Sequence, residues 1–355
     1  MDLLGGIGQF VSAGERIILK PNLLTGESPE KAVTTHPAVL LAVARLAREA
    51  GADLRWGDSP GWGGMKWNGS QSGILEAADG AGIGMADFEI PAKVSFADAL
   101  LAKQLTVARS VLEADGLINL AKMKTHGLTR ITGAVKNLFG CVPGLRKGEY
   151  HVKMPRIEHF SAMLVDMARY VKPRLHVLDG ILAMEGNGPR GGEPRWMNVL
   201  LLSPDPVALD SVFCRLIDLP PEYVPTMQPG LESGLGDFRD DFLDIVGDPI
   251  ETLRAKDFQV VRRPADSARG GFPVFLKNWI SPSPVILSPR CTACSICVEM
   301  CPVSPKAVTH PDAEGKETPV FRYERCIRCY CCLEICPEKA ITIRTPFLGR
   351  LIHRP

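Results

Sequence analysis

Eight of the eleven cysteines fall into two copies of one spacing near the C-terminus. Cys291, Cys294 and Cys297 lie three apart, and Cys301 follows ahead of Pro302. Cys326, Cys329, Cys332 and Cys336 repeat the run ahead of Pro337. A cubane iron–sulfur cluster needs four thiolates converging on one small volume. Two-residue gaps let three sulfurs of a tight loop point inward, and the fourth comes from elsewhere. In paired C-x2-C-x2-C-x3-C-P runs, the fourth cysteine of each run ligates the other cluster. The spacing therefore assigns Cys291, Cys294, Cys297 and Cys336 to one 4Fe–4S cluster, and Cys326, Cys329, Cys332 and Cys301 to a second. Zinc ribbons use two C-x2-C pairs per metal, not this pattern. A disulfide framework requires an oxidising compartment, and the sequence shows no secretory signal. Cys331 is an extra thiol inside the second run, either a bystander or a redox-active or alternative ligand. Cys141 and Cys214 lie far upstream and read as buried or site-lining thiols.

A second group of residues could handle an anion. In open α/β sheets, ligands bind beyond the carboxyl ends of the strands. Polar residues recur at the expected strand exits: Lys20 and Asn22, then Asp58, then Lys122, Lys124 and His126, then Asp179. Lys136-Asn137 and the segment Arg146 to His151 lie in glycine-rich surroundings. Several lysines with few matched acids would make a positive crevice suited to a carboxylate or phosphate. His126, His151, Lys122 and Lys136 are the candidate catalytic residues, the histidines as proton donors because imidazole titrates near neutrality. Lys20, Asn22, Asp58, Lys124, Asn137 and Asp179 are the candidate substrate contacts. Taken singly, each reads equally as a solvated surface residue, and either histidine as structural; the clustering carries the site. Gly186, Gly188 and Gly191 match G-x-G-x-x-G, but Pro189 lies inside and Gly192-Glu-Pro194 follows where a helix should start. A nucleotide-binding turn needs that helix, so a loop closing over the site is the better reading.

The elements that must position these groups alternate. Strands are expected over Arg16–Lys20, Ala52–Trp56, Met85–Ile90, Gly116–Leu120, Arg174–Leu178 and Val199–Leu202. Helices are expected over Asp2–Ser12, Ala38–Ala50, Gly73–Ala81, Ile131–Phe139, Arg156–Tyr170 and Pro206–Ile217, with a helix or turn at Phe96–Lys103. This alternation predicts an α/β fold with a mainly parallel sheet covered by helices on both faces. At 355 residues the chain is too long for the cysteine module alone. Residues 1–261 are read as the α/β domain, 262–288 as a Pro/Gly/Ser-rich linker or arm, and 289–355 as a small α+β ferredoxin-like domain with two 4Fe–4S clusters. A hydrophobic content of 45% and a net charge of +1 fit a globular protein without a nucleic-acid-binding surface. No apolar stretch approaches the roughly 20 residues needed to span a bilayer. Oxygen-labile clusters point to a reducing cytoplasmic setting.

Ile18-Leu-Lys20-Pro21-Asn22-Leu, the Gly57-Asp58-Ser59-Pro60-Gly61 turn and Lys122-Met-Lys124-Thr125-His126 resemble the domain-of-unknown-function family 362. So does Thr132-Gly-Ala-Val-Lys136-Asn137-Leu-Phe-Gly140, the most specific of these stretches. The resemblance runs from Gly14 to Cys336, and many members carry the same C-terminal two-cluster module. Members usually have a further strand and helix ahead of the lysine–proline–asparagine strand, whereas this sequence starts almost at it. The resemblance implies an iron–sulfur protein of α/β fold with an oxidoreductase-like role, and supplies no substrate.

The leading expectation is a reductase passing single electrons from a soluble donor protein through two clusters to a small anionic molecule. The alternative is an electron-carrier or cofactor-maturation subunit serving a partner protein. A redox sensor built on Cys331 is a third reading.

Overall fold

A computed structural model of the chain describes residues 1–265 and 278–352. Residues 266–277, the middle of the expected arm, lie outside the described residues. The alternating pattern folds as expected into an α/β domain. Strands β1 (Arg16–Pro21), β2 (Asp53–Trp56) and β3 (Gly84–Met85) precede a separate hairpin, β4 (Pro91–Ser95) and β5 (Gln104–Ala108). Strands β6 (Gly116–His126), β7 (Arg130–Ile131), β8 (Leu175–Glu185) and β9 (Glu193–Ser203) complete the sheet. Its order is β3-β2-β1-β6-β8-β9, with β7 on the end of β6. β1 pairs in parallel with β2 and β6, β2 with β3, and β6 with β8. β9 and β7 pair antiparallel.

Helix α1 (Pro37–Glu49) returns the chain from β1 to β2. His36 caps it, its Nδ1 accepting from the Ala38 amide at 3.1 Å, and Pro37 supplies the preset first turn. Val39, Leu40, Val43, Ala44 and Ala47 form its buried stripe. Helices α2 (Met65–Gln71) and α3 (Ile74–Gly80) lead to β3, and α4 (Arg109–Glu113) to β6. After β7 come α5 (Ala134–Asn137), α6 (Arg146–Lys153) and α7 (Ile157–Val171); α8 (Pro206–Leu216) follows β9. In β6 every residue from Leu117 to His126 is buried. Successive strand side chains point to opposite faces, so both faces of this strand are covered.

Several elements depart from their expected form. The segment Ala121–His126, expected to follow the strand ending at Leu120, continues β6, because its lysine ammoniums find partners inside the fold. The Asp2–Ser12 helix is two 3-10 turns, Asp2–Leu4 and Ile7–Gln9, split by Gly5 and Gly6 at φ 80° and 85°. Of the helix or turn expected at Phe96–Lys103, the structure takes the turn, as the connection of the β4–β5 hairpin. The Ile131–Phe139 helix shrinks to α5 followed by a 3-10 turn, Leu138–Cys141. α5 starts where Asp210 accepts from the Ala134 and Val135 amides at 2.5 and 3.2 Å. A side chain at Gly133 would overlap that carboxylate. Burial pushes the Asp210 carboxyl up to about 7.

The C-terminal region is small: β10 (Ser283–Ile286) pairs antiparallel with β13 (Ile341–Arg344), and β11 (Val308–Thr309) with β12 (Val320–Phe321). Cys297, Val308, Tyr330, Cys332, Leu333 and Ile341 form its core. The two cysteine runs repeat in backbone as well as in spacing. Ala293 and Arg328 stand at φ 55° and 57°, and Ser295 and Tyr330 at 65° and 62°. Among the described residues no helix is long and apolar enough to cross a membrane.

Candidate functional site

The structure brings the last cysteine of the second run beside the first three of the first run. Cys291, Cys294, Cys297 and Cys336 wall one narrow cavity. Burial, and then Cys294, Cys336 and Cys291 around it, push the Cys297 thiol up to about 12. Burial also raises Cys332 well above the ordinary thiol range, followed by the fields of Cys329, Cys326, Cys297 and Cys301. Thiols crowded into dry volumes do not ionise unaided; the cationic iron of a cluster is what turns them into thiolates. Each set has one amide aimed at its crossing sulfur. The Ala307 amide donates to Cys301 Sγ and the Ala340 amide to Cys336 Sγ, both at 3.3 Å. The donor chemistry, eight thiols in two repeated runs, suits iron–sulfur clusters.

A cavity of about 530 Å³ lies between this region and the carboxyl ends of the sheet. Asn22, Asp58, Lys124, Lys136, Asn137 and His151 line it from the α/β side, and Cys301, Lys306, Cys331 and Glu334 from the other. Four of the ten sequence-derived candidates, Lys20, Lys122, His126 and Asp179, are not in its wall. Lys122 Nζ contacts Asp179 Oδ2 at 2.7 Å with both side chains within 1% of full burial, and Asp179 also accepts from the His36 amide at 2.8 Å. Lys20 Nζ sits 2.8 Å from Asp58 Oδ1, and Asp58 Oδ2 accepts from the Leu23 amide at 2.8 Å. A side chain at Gly140 would overlap Asp58 Oδ1 and stand 2.6 Å from Lys20 Nζ, so the second glycine of the Thr132–Gly140 stretch leaves room for that pair. These two lysines are counter-ions of the scaffold.

Lys124 is buried and forms no salt bridge among the described residues. Its Nζ donates to Asn22 Oδ1 at 2.8 Å and to the Val33 carbonyl at 2.7 Å. Burial first, then Lys136 and Lys122, push its ammonium well below the ordinary lysine range. Asn22 donates to Asn137 Oδ1 at 3.1 Å, and Asn137 donates to Asn119 Oδ1 at 2.7 Å, tying the cavity floor to the middle of β6. Lys136, half-buried on α5, has no hydrogen-bond or salt-bridge partner among the described residues.

The two histidines differ. His126 Nδ1 accepts from the Leu128 and Thr129 amides at 3.0 and 3.2 Å. The ring proton must then sit on Nε2, which points at Glu334 Oε1 at 2.9 Å. Burial would raise the Glu334 carboxyl, but Lys136 and His126 pull it well below the usual range. His126 thus stands against a carboxylate of the cysteine region at the cavity edge. Its own ring faces a second cavity of about 550 Å³. His151 is stacked on Phe160 with ring centroids 4.3 Å apart and stands edge-on to Phe139. Burial pushes it down to about 4, so its imidazole is neutral at neutral pH.

Sequence reasoning gave no separate role to two further groups. Lys147 Nζ donates to Ser59 Oγ at 2.6 Å and to the Pro60 carbonyl at 3.2 Å, and burial pushes it down to about 7. Glu334 lies within the second cysteine run, where the ligand pattern drew attention away from it. The Gly186–Gly192 stretch joins β8 to β9 and holds the cysteine region. Asn187 donates to the Ile341 carbonyl at 3.1 Å, and Lys339 Nζ donates to the Gly192 carbonyl at 3.2 Å. Arg190 pairs with Glu27 at 2.6 Å and donates to the Ile335 carbonyl. A side chain at Gly188 would overlap the Thr125 carbonyl.

Comparison with known proteins agrees with this architecture. Residues 290–340 match the 4Fe-4S dicluster domain, so the C-terminal region is an iron–sulfur electron-transfer module. A thylakoid-associated protein of Synechocystis sp. is 40% identical over 236 residues, 66% of this chain and 73% of that protein. Residues 17–215 match the domain of unknown function DUF362, and the chain belongs to that family.

Proposed function

We propose that the chain is an iron–sulfur oxidoreductase that delivers electrons through two 4Fe–4S clusters to a small anionic substrate in the 530 Å³ cavity. The observation that carries this reading is the shared wall: Cys301, in the crossed donor set, and Lys136, without a bonded partner, line the same cavity. When bound, such clusters supply one-electron transfer over a wide range of potentials. The protein's own side chains would do the rest. Lys136 binds the anionic group. Lys147, held down to about 7, carries a proton it can release near neutral pH, where a general acid is most effective. His151, neutral and wedged between two phenylalanines, presents a hydrogen bond rather than a proton. His126 acts through Glu334, not on substrate. Cys294 is the one exposed cysteine among the described residues, which also suits a carrier or cofactor-maturation subunit that exchanges electrons with a partner protein.

The test is anaerobic reconstitution with iron and sulfide quantitation, then reduction by dithionite and challenge with pools of small carboxylates and phosphate esters. Reoxidation by one pool that is lost in Lys136→Met, with iron content unchanged, supports the oxidoreductase. Reduced protein that is stable under every pool sinks it in favour of the carrier.

A further inference from the structure

Resting on the two-cluster reading, we propose that Arg328 makes the site of Cys326, Cys329, Cys332 and Cys301 the more readily reduced of the two. Electrons then enter at the site of Cys291, Cys294, Cys297 and Cys336 and leave beside the cavity. The two runs act as an internal control. Their loops share backbone conformation at both positive-φ positions, and each site has one amide donor 3.3 Å from its crossing sulfur. Loop shape and the amide at the crossing sulfur therefore do not separate them, although the second site adds the Cys331 thiol and amide on Cys329, a contribution that Cys331→Ser isolates.

The side chains do. At the position held by Ala293 in the first run, the second run places Arg328, 6% exposed. Its Nη2 donates to Asn278 Oδ1 at 2.8 Å, while its Nε is buried without a hydrogen-bond partner. Among the described residues no carboxylate forms a salt bridge with it. A guanidinium keeps its charge at every accessible pH, and a buried charge without a counter-charge is costly. Negative charge arriving on the neighbouring thiolate site is the compensation available to it. The first site is flanked by Arg290 and Glu338, exposed and opposite in sign, so solvent and salt screen both. Glu334 opposes Arg328 near Cys329, but Lys136 offsets that carboxylate. Access runs the same way: Cys294 is exposed, and Cys301 lines the cavity. The balance is one electron. A one-electron donor protein is oxidised as the exposed site is reduced, and that site is reoxidised as the inner one gains the electron.

The experiment is a mediated redox titration of the anaerobic holoprotein with dithionite, read by electron paramagnetic resonance. A chelated dysprosium ion in solution identifies the exposed site by broadening its signal. Arg328→Met is expected to lower the potential of the less broadened signal by a factor of ten or more in its reduction equilibrium, about 59 mV for one electron. The other signal stays put, and Arg328→Lys restores most of the shift. Should Arg328→Met fail to load iron, Ala293→Arg is expected to raise the exposed site's potential and narrow the gap. Two loaded clusters with potentials indifferent to these substitutions, or a shift of the broadened signal in Arg328→Met, overturn the inference alone. Iron for fewer than two clusters in the unsubstituted protein overturns the reading beneath it.

Discussion

Replacing Lys122 by methionine separates the two roles open to the lysines at the strand ends, scaffold counter-ion and ligand contact. Lys122 Nζ and Asp179 Oδ2 are 2.7 Å apart, with side chains 1% and 0% exposed. Burial pushes the Lys122 ammonium down, and only its attraction to Asp179 opposes that. Methionine keeps the length and removes the charge. It leaves Asp179 with the His36 and Ile181 amides, at 2.8 and 3.3 Å, and no cation. Removing one member of a buried pair costs about 3–5 kcal/mol. Lys122→Met/Asp179→Leu removes both charges and orphans mainly the His36 amide, so it should lie only about 1–3 kcal/mol below the parent. Lys136→Met, with no bonded partner to abandon, should cost less than about 1 kcal/mol. Anaerobic urea denaturation, followed by the fluorescence of the tryptophans, of which Trp56 is buried in β2, gives these differences by linear extrapolation. The assignment fails if Lys122→Met is as stable as the parent, or if the double variant is worse than the single one.

Three further outcomes follow from the same geometry. Gly140→Ala forces a methyl into the Lys20–Asp58 contact and should destabilise by about 2–4 kcal/mol, whereas Gly80→Ala, with open space around it, should not. Cys331→Ser should keep about eight irons per chain, because this thiol belongs to neither four-cysteine set; loss of half the iron would make it a ligand. Lys147 is held down to about 7 from an ordinary 10.5. Between those values the unfolded chain binds more protons than the folded one, so stability should rise with pH across that window. Urea midpoints measured from pH 7 to 10 should show this rise, and Lys147→Met should flatten it.

The dicluster module was legible because its cysteine spacing is a local property of the chain. The sheet was legible because helical and strand periods alternate along it. The strand-end lysines were legible only as a count of charges. Asp179 lies 57 residues from Lys122, and the partners of Lys124 lie 102 and 91 residues away. Which lysine is neutralised thus depends on which strands become neighbours, and no local pattern encodes that. The same holds for the glycines of the Thr132–Gly140 stretch. Gly133 and Gly140 are required by carboxylates that arrive from Asp210 and Asp58. The role of the G-x-G-x-x-G run as a clamp on the cysteine region shows only in its contacts with Ile335 and Ile341.

Two buried lysines are matched by aspartates and a third by an asparagine, which leaves Lys136, Lys147, Lys153 and Lys306 as the other lysines of the cavity wall. That has a consequence for the proposed chemistry. An anion at Lys136 and an electron at the site of Cys301 are like charges across one wall, so each disfavours the other. Binding and reduction are then linked reciprocally: an anion that lowers the inner potential by some factor must bind more weakly to the reduced protein by the same factor. Couplings of this kind run to about 1–3 kcal/mol, or 5–150-fold. Inorganic phosphate and oxalate, titrated against oxidised and dithionite-reduced protein, measure it directly. Lys136→Met should weaken binding to both forms. Equal affinity in the two redox states, for an anion whose binding Lys136→Met abolishes, would mean that the cavity and the thiolate site do not feel one another, and the shared wall would lose its functional meaning.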